Sequence, residues 1–189
     1  MKNKIIIVSG LPRSGTSLMM QILQAAGIPL LTDDSRPADK NNPKGYFEFE
    51  PVKRIERDAS WLAQAKGKAV KVISHLLMYL PPDFNYFVLF MNRDLDEIIA
   101  SQNKMLFNLN KSLGRLPYDR LREKYAVHLN QIHHWLALQP NILFEDIYFP
   151  GLIRNPKNEL TKVWCALKPD VPIERVLPVI QPDLYRTKK

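Results

Sequence analysis

Two hydrophobic periods alternate along the chain. Residues 5–8 are four β-branched apolar residues in a row, the pattern of a strand buried on both faces. Beyond a short glycine-bearing loop, Leu18, Met19, Ile22, Leu23 and Ala26 recur at helical spacing, and Gly27 followed by Pro29 stops that helix. Residues 31–51 carry no period at all; a polar, proline-bearing stretch of about twenty residues inside a compact domain is the signature of a lid or an acceptor-binding loop. Pro51 predicts a helix start, running to about Lys66 and closed by Gly67. Residues 69–74 predict a second strand ending at His75, and 86–91 a third, apolar throughout and therefore central. Asp94 with Glu97 three residues on predicts a capping-box start for a helix that turns Leu95, Ile98, Ile99 and Leu106 inward. A long amphipathic helix over about 118–139, a short strand over 141–144 and helices near 155–167 and 173–180 complete the pattern. Strands alternating with helices predict an α/β fold with three α/β/α layers around a central parallel sheet.

Composition narrows the class. The chain has 189 residues, which suits one domain over 1–189. Its single cysteine, Cys165, fits a reducing compartment, and the absence of Cys/His ligand spacing argues against zinc. No stretch approaches the ~20 apolar residues of a membrane span, and the apolar run at the start is too short for a signal peptide, so a cytoplasmic protein is expected. With 27 basic and 19 acidic residues the formal charge is +8, which favours anionic ligands. The basic residues are dispersed rather than gathered on one stripe, so a specific nucleic-acid partner is not expected. The three tryptophans, Trp61, Trp135 and Trp164, fall in helical patterns as core residues, and His128, His133 and His134 fall on the long helix.

The first loop changes the picture most. Gly10 and Gly15 stand as in a P-loop, G-x-x-x-x-G-K-[ST], between a strand and a helix. Such a loop turns backbone N–H groups and the positive end of a helix toward an anion. Thr16 takes the place of the lysine after the second glycine, and the cation, Arg13, sits inside the loop. That substitution disfavours ordinary hydrolysis of ATP with its Mg²⁺. The α/β fold is therefore expected to be of the P-loop type.

Strand ends are where an open parallel sheet holds its ligands. Arg93 leaves the central apolar strand, and Ser101 lies eight residues later, about two helical turns on, so a guanidinium and a hydroxyl share one side. The loop Pro12-Arg13-Ser14-Gly15-Thr16-Ser17 together with Arg93 and Ser101 resembles the PAPS-dependent sulfotransferases. The stretch from Lys71 through His75 to Pro81 is similar to the cytosolic members, where a strand ends in lysine, histidine, leucine-rich residues and proline. The loop itself looks like that of the bacterial and protein-tyrosine branches. The resemblance covers about residues 4–103. It implies that Arg13, Ser14, Gly15, Thr16 and Ser17 hold the 5′-phosphosulfate of 3′-phosphoadenosine 5′-phosphosulfate (PAPS), and that Arg93 and Ser101 hold its 3′-phosphate. In the family a late basic segment also touches that phosphate; here the late candidates are Arg186, Lys188 and Lys189.

Sulfuryl transfer is an in-line displacement at sulfur, in which positioning and charge stabilisation supply most of the catalysis. Arg13 is placed to neutralise charge on the departing oxygen, no metal is required, and a general base must take the acceptor's proton. His75, a residue that titrates near neutral pH, is the first candidate. Asp33 and Asp34 follow the loop helix, where the protein-tyrosine branch carries its glutamate; Glu48 and Glu50 come next. Lys111, Arg115 and Arg120 belong to a basic segment able to close over the donor. Two other functions fit the same loop: a P-loop kinase or other phosphotransferase using Arg13, and a non-catalytic nucleotide-binding protein.

Overall fold

The computed structural model describes residues 3–33, 35–110 and 117–185. Four parallel strands, β1 (Lys4–Gly10), β2 (Ala69–Lys71), β3 (Asn85–Asn92) and β4 (Ile142–Tyr148), form one sheet in the order β2-β1-β3-β4. The register sets Val8 beside both Lys71 and Leu89, and Gly10 beside Met91. Because successive side chains point to opposite faces, Ile6, Val8, Phe87 and Leu89 enter one core and Ile5, Ile7, Val88 and Phe90 the other. On the first face they meet α1 (Thr16–Ala25) through Met19, Met20 and Leu23. The second face carries α3 (Tyr118–Leu138) through Ile132 and Leu136. Between them in sequence lies α2 (Leu95–Asn108); α4 (Phe149–Arg154), α5 (Pro156–Leu167) and the short α6 (Ile173–Val176) follow β4. The α/β class and the parallel sheet expected from the pattern are both present, with β1 and β3 central.

β4 runs on to Tyr148, beyond the short strand expected over 141–144, and the last expected helix is α6 followed by a 3₁₀ turn, Leu177–Val179. Three further differences bear on the site. The helix expected from Pro51 to Lys66 is two 3₁₀ turns, Glu50–Arg54 and Ser60–Ala65. Asp58 lies between them, and its carboxylate accepts from the Ser60 N–H at 2.9 Å. A short carboxylate that bonds the backbone two residues on competes with helix continuation. The second strand ends at Lys71 rather than Ser74, and the chain winds into a 3₁₀ turn, Ser74–Tyr79. At α2 the Asp94 carboxylate does accept from the Asp96 and Glu97 N–H groups, but the Glu97 side chain turns inward to Arg93 and Tyr185.

Candidate functional site

The loop between β1 and α1 is shaped by backbone conformations that side chains resist. Gly10 has φ +139°, and a Cβ there would lie 2.5 Å from Ser14 Oγ and 2.7 Å from the Met91 carbonyl oxygen. Gly15 has φ +107°, and a Cβ there would lie 2.3 Å from the Phe149 ring. Arg13, with φ 78°, is left-handed without being glycine, a conformation costing on the order of 1–3 kcal/mol that surrounding contacts must offset. Two hydrogen bonds hold it there. Gln102 donates to the Pro12 carbonyl at 2.9 Å and Arg93 Nη1 to the Arg13 carbonyl at 3.0 Å. With its carbonyls tied back to the β3–α2 side, the loop delivers the chain into α1 with Gly15 at the N-cap. No side chain caps that helix, and its first turn has no acidic residue. The positive end of the helix therefore stays uncompensated by local carboxylates.

Arg13 extends across this opening. Its Nε donates to Ser101 Oγ at 3.0 Å and its Nη2 to the Asn41 carbonyl at 3.2 Å. Burial, chiefly, pulls its pKa below the ordinary guanidinium value, and nearby Arg93 pulls the same way while Tyr46 and Asp39 oppose it. Lys71, at the end of β2, points in from the neighbouring strand. Its Nζ donates to Ser17 Oγ at 3.2 Å and to the Tyr46 carbonyl. Burial lowers its pKa to about 8. Sequence reasoning left Lys71 out of the site; the available signal was a lysine closing an apolar strand, where a solvated surface role is hard to build.

Arg93 and Ser101 both line the cavity but do different work. Arg93 Nε pairs with Glu97 at 2.9 Å, the two side chains being 7% and 6% exposed. Its guanidinium lies 4.7 Å from the Phe149 ring centroid and 5.0 Å from that of Tyr185. The Tyr185 hydroxyl donates to the same Glu97 carboxylate, and burial with that partner raises its pKa to about 12. Ser101, expected beside Arg93, accepts from Arg13 instead.

The residues expected in the loop and the segment 31–51 meet around one cavity of about 640 Å³. Six cationic side chains line it (Arg13, Arg36, Lys53, Lys71, Arg93 and Lys104), against one carboxylate, Glu48, among the described residues. Gly15, Thr16 and Ser17 line it as well, while Ser14 is buried behind them with its hydroxyl unpartnered among the described residues. Arg36 lies 3.4 Å over the Tyr46 ring and bonds Glu48 at 3.0 Å. Lys53 is 4.0 Å from Glu48 and 2.6 Å from Glu50.

The expected bases separate clearly. His75 does not line the cavity; this corrects the expectation that placed it at a strand end. Because β2 stops early, the following 3₁₀ turn carries His75 outward, where its ring stacks on His128 at 3.9 Å. Burial lowers the pKa of both, and the neighbouring His75 helps bring His128 to about 4. Asp33 accepts from the Ser35 and Glu50 N–H groups, a structural role that holds it below the usual carboxylate range despite desolvation. Glu50 pairs with Lys53 and, like Asp33, lies off the cavity wall. Asp34, Lys111, Arg115, Arg186, Lys188 and Lys189 lie outside the described residues. Arg120 pairs with Glu123 on the exposed face of α3. Among the described residues there is no cluster of three or more His, Cys, Asp or Glu suited to a metal ion, and no helix long and apolar enough to cross a membrane.

No family model and no curated protein matches the chain. Solved structures do. The sulfotransferase domain from the curacin biosynthetic pathway superposes with a TM-score of 0.54 at 17% identity, over 96% of this chain and 79% of that one. Mouse sulfotransferase SULT7A1 complexed with PAP gives 0.48 at 11% identity, over 95% of this chain and 63% of that one. A sugar kinase from Janibacter sp. HTCC2649 gives 0.43 at 14% identity, over 96% and 98%. At 17% identity, the curacin-pathway domain shares this chain's fold and establishes no more than that.

Proposed function

We propose that this chain moves a sulfuryl group from PAPS to a hydroxyl or amine acceptor, as a single domain over residues 1–189. The observation that carries this reading is the cavity at the uncapped start of α1, whose wall among the described residues holds six cationic side chains and one carboxylate, and where the cation of the loop is Arg13. Thr16 where a P-loop NTPase has lysine weighs against phosphoryl transfer from ATP. A donor with phosphates at two positions also suits cations distributed on the loop, β2, α2 and the 31–51 segment rather than gathered at one point.

In this scheme the amides of Gly15, Thr16 and Ser17, with the Thr16 and Ser17 hydroxyls, hold the 5′-phosphosulfate, and Lys71 supports it. Ser101, Lys104 and Arg93 bound the side that would take the 3′-phosphate. The acceptor oxygen forms its bond to sulfur as the sulfur–oxygen bond to the leaving adenosine 3′,5′-bisphosphate breaks. Arg13 neutralises the charge that collects on the departing oxygen. The acceptor's proton passes to Glu48, the one carboxylate on the cavity wall among the described residues. Incubation with PAPS and a mixed panel of alcohols, phenols and amines should release adenosine 3′,5′-bisphosphate with a sulfated product. Glu48→Gln should slow that release by about 10²-fold or more. Mg²⁺-dependent consumption of ATP, with PAPS left intact, would make the chain a kinase instead.

A further inference from the structure

The donors of the anion cradle are shared with the backbone of the 31–51 segment. Arg13 Nη2 donates to the Asn41 carbonyl, Lys71 Nζ to the Tyr46 carbonyl, and Ser17 Oγ to the same Tyr46 carbonyl at 3.4 Å. Asn42 adds a side-chain bond to Ser17 Oγ at 3.0 Å. Carbonyl oxygens on these three donors stand for the oxygens of an anion: partial negative charges presented to a guanidinium, an ammonium and a hydroxyl. A phosphate or sulfate in the cradle competes for the same donors with full negative charge, so that the guanidinium and ammonium exchange a carbonyl dipole for an oppositely charged partner.

Tyr46 ties that competition to the acceptor side. Its hydroxyl donates to Asp39 at 2.9 Å, closing the 39–46 turn on itself. Its buried ring is the platform for Arg36, and Arg36 holds Glu48, two residues further on. The Asp33 N–H donates to the Glu48 carbonyl at 3.2 Å, fixing the far end of the segment.

We infer that Tyr46 is a positioning residue: an anion entering the cradle displaces the Asn41 and Tyr46 carbonyls, and the Tyr46 ring transmits that shift through Arg36 to Glu48. Donor binding then precedes and arranges the acceptor side. The role given to Glu48 rests on the sulfotransferase reading; the displacement itself concerns any anion in the cradle.

Hydrogen exchange at residues 39–48 tests this, with inorganic pyrophosphate and adenosine 3′,5′-bisphosphate as separate probes and the melting temperature recorded in parallel. The expected result is a higher melting temperature together with exchange about tenfold faster across 39–48, the scale of weakening one or two of the amide bonds, Asn42 N–H to Asp39 and Gly45 N–H to Asn42, that close the displaced turn. Tyr46→Phe keeps the ring and should retain this response near Glu48. Tyr46→Leu should bind anion, judged by melting, with the response near Glu48 lost; a merely structural residue would lower stability and leave the response intact. Stabilisation of the wild-type protein with exchange at 39–48 unchanged or slower overturns the displacement while leaving the sulfotransferase reading standing. Stabilisation by pyrophosphate and not by the bisphosphate, with faster exchange, upholds the displacement and removes the sulfotransferase reading. No stabilisation by either probe removes both.

Discussion

The turns that leave β1 and β3 lie side by side, each carries an arginine into the same cavity, and they are built in opposite ways. After β3, Arg93 is neutralised by Glu97, capped by two aromatic rings and locked by the Tyr185 hydroxyl. After β1, Arg13 meets a serine hydroxyl and a carbonyl, and no carboxylate pairs with it among the described residues. The first arrangement fixes a framework. The second leaves a charge whose best partner would be a ligand. An arginine on a cavity wall is thus no guide to its role until its counter-charge is located.

That contrast can be broken experimentally. The largest effect belongs to the framework: Glu97→Ala leaves Arg93 buried without its carboxylate and should cost about 3–5 kcal/mol in denaturant unfolding. A loss under about 1 kcal/mol would mean that Arg93 is not held by this pair. Gly15→Ala should follow, at roughly 2–3 kcal/mol, because it combines a positive φ with a clash against Phe149. Arg13→Ala should do the reverse of both. Folding stability stays within about 1 kcal/mol, while bisphosphate affinity measured by calorimetry falls about 10–100-fold, the worth of one or two charge-assisted bonds.

Lys71 supplies a pH test with two opposite signs. Its pKa in the folded chain, about 8, lies below its ordinary value of 10.5. Below pH 8 the folded protein carries the full penalty of a buried ammonium, and between about 8 and 10.5 the unfolded chain binds more protons, so this contribution to stability rises with pH. Anion affinity should fall over the same rise, because the cradle loses a charge. Lys71→Met should flatten both trends; a binding curve unchanged across pH 8 would take Lys71 out of the cradle. The smallest effect is expected at His75, where asparagine should leave sulfuryl transfer unaltered.

Much of the framework was legible in the sequence, because local chemistry decides it. The β-branched run of β1, the two glycines of the loop, the stop at Gly27 and the Asp94 cap each follow from residues within a few positions of one another. The site was legible only where it is local as well. Arg13 and the start of α1 could be read from the loop. That Glu97 would claim Arg93 is an i,i+4 pairing that the capping-box reading of Glu97 hid, whereas that Ser101 would serve Arg13 and Tyr185 would lock Glu97 depends on contacts 88 residues apart. Glu48 stood behind His75 and the aspartates as a candidate base, and Lys71 stood outside the expected site, for the same reason: one sits in a stretch without period and the other closes a strand, and only packing brings both to one cavity. His75 misled because a strand three residues shorter than its pattern hands the next residues to a 3₁₀ turn facing outward.

The proposed cradle for a nucleotide bearing phosphate on both its 3′ and 5′ positions is tested most directly by the shift in melting temperature with adenosine 3′,5′-bisphosphate against ADP at equal concentration. The bisphosphate should give the larger stabilisation, by about 10-fold or more in affinity, the worth of a few charge-assisted contacts to the 3′-phosphate. Equal stabilisation by the two nucleotides, or a preference for ADP, would contradict it.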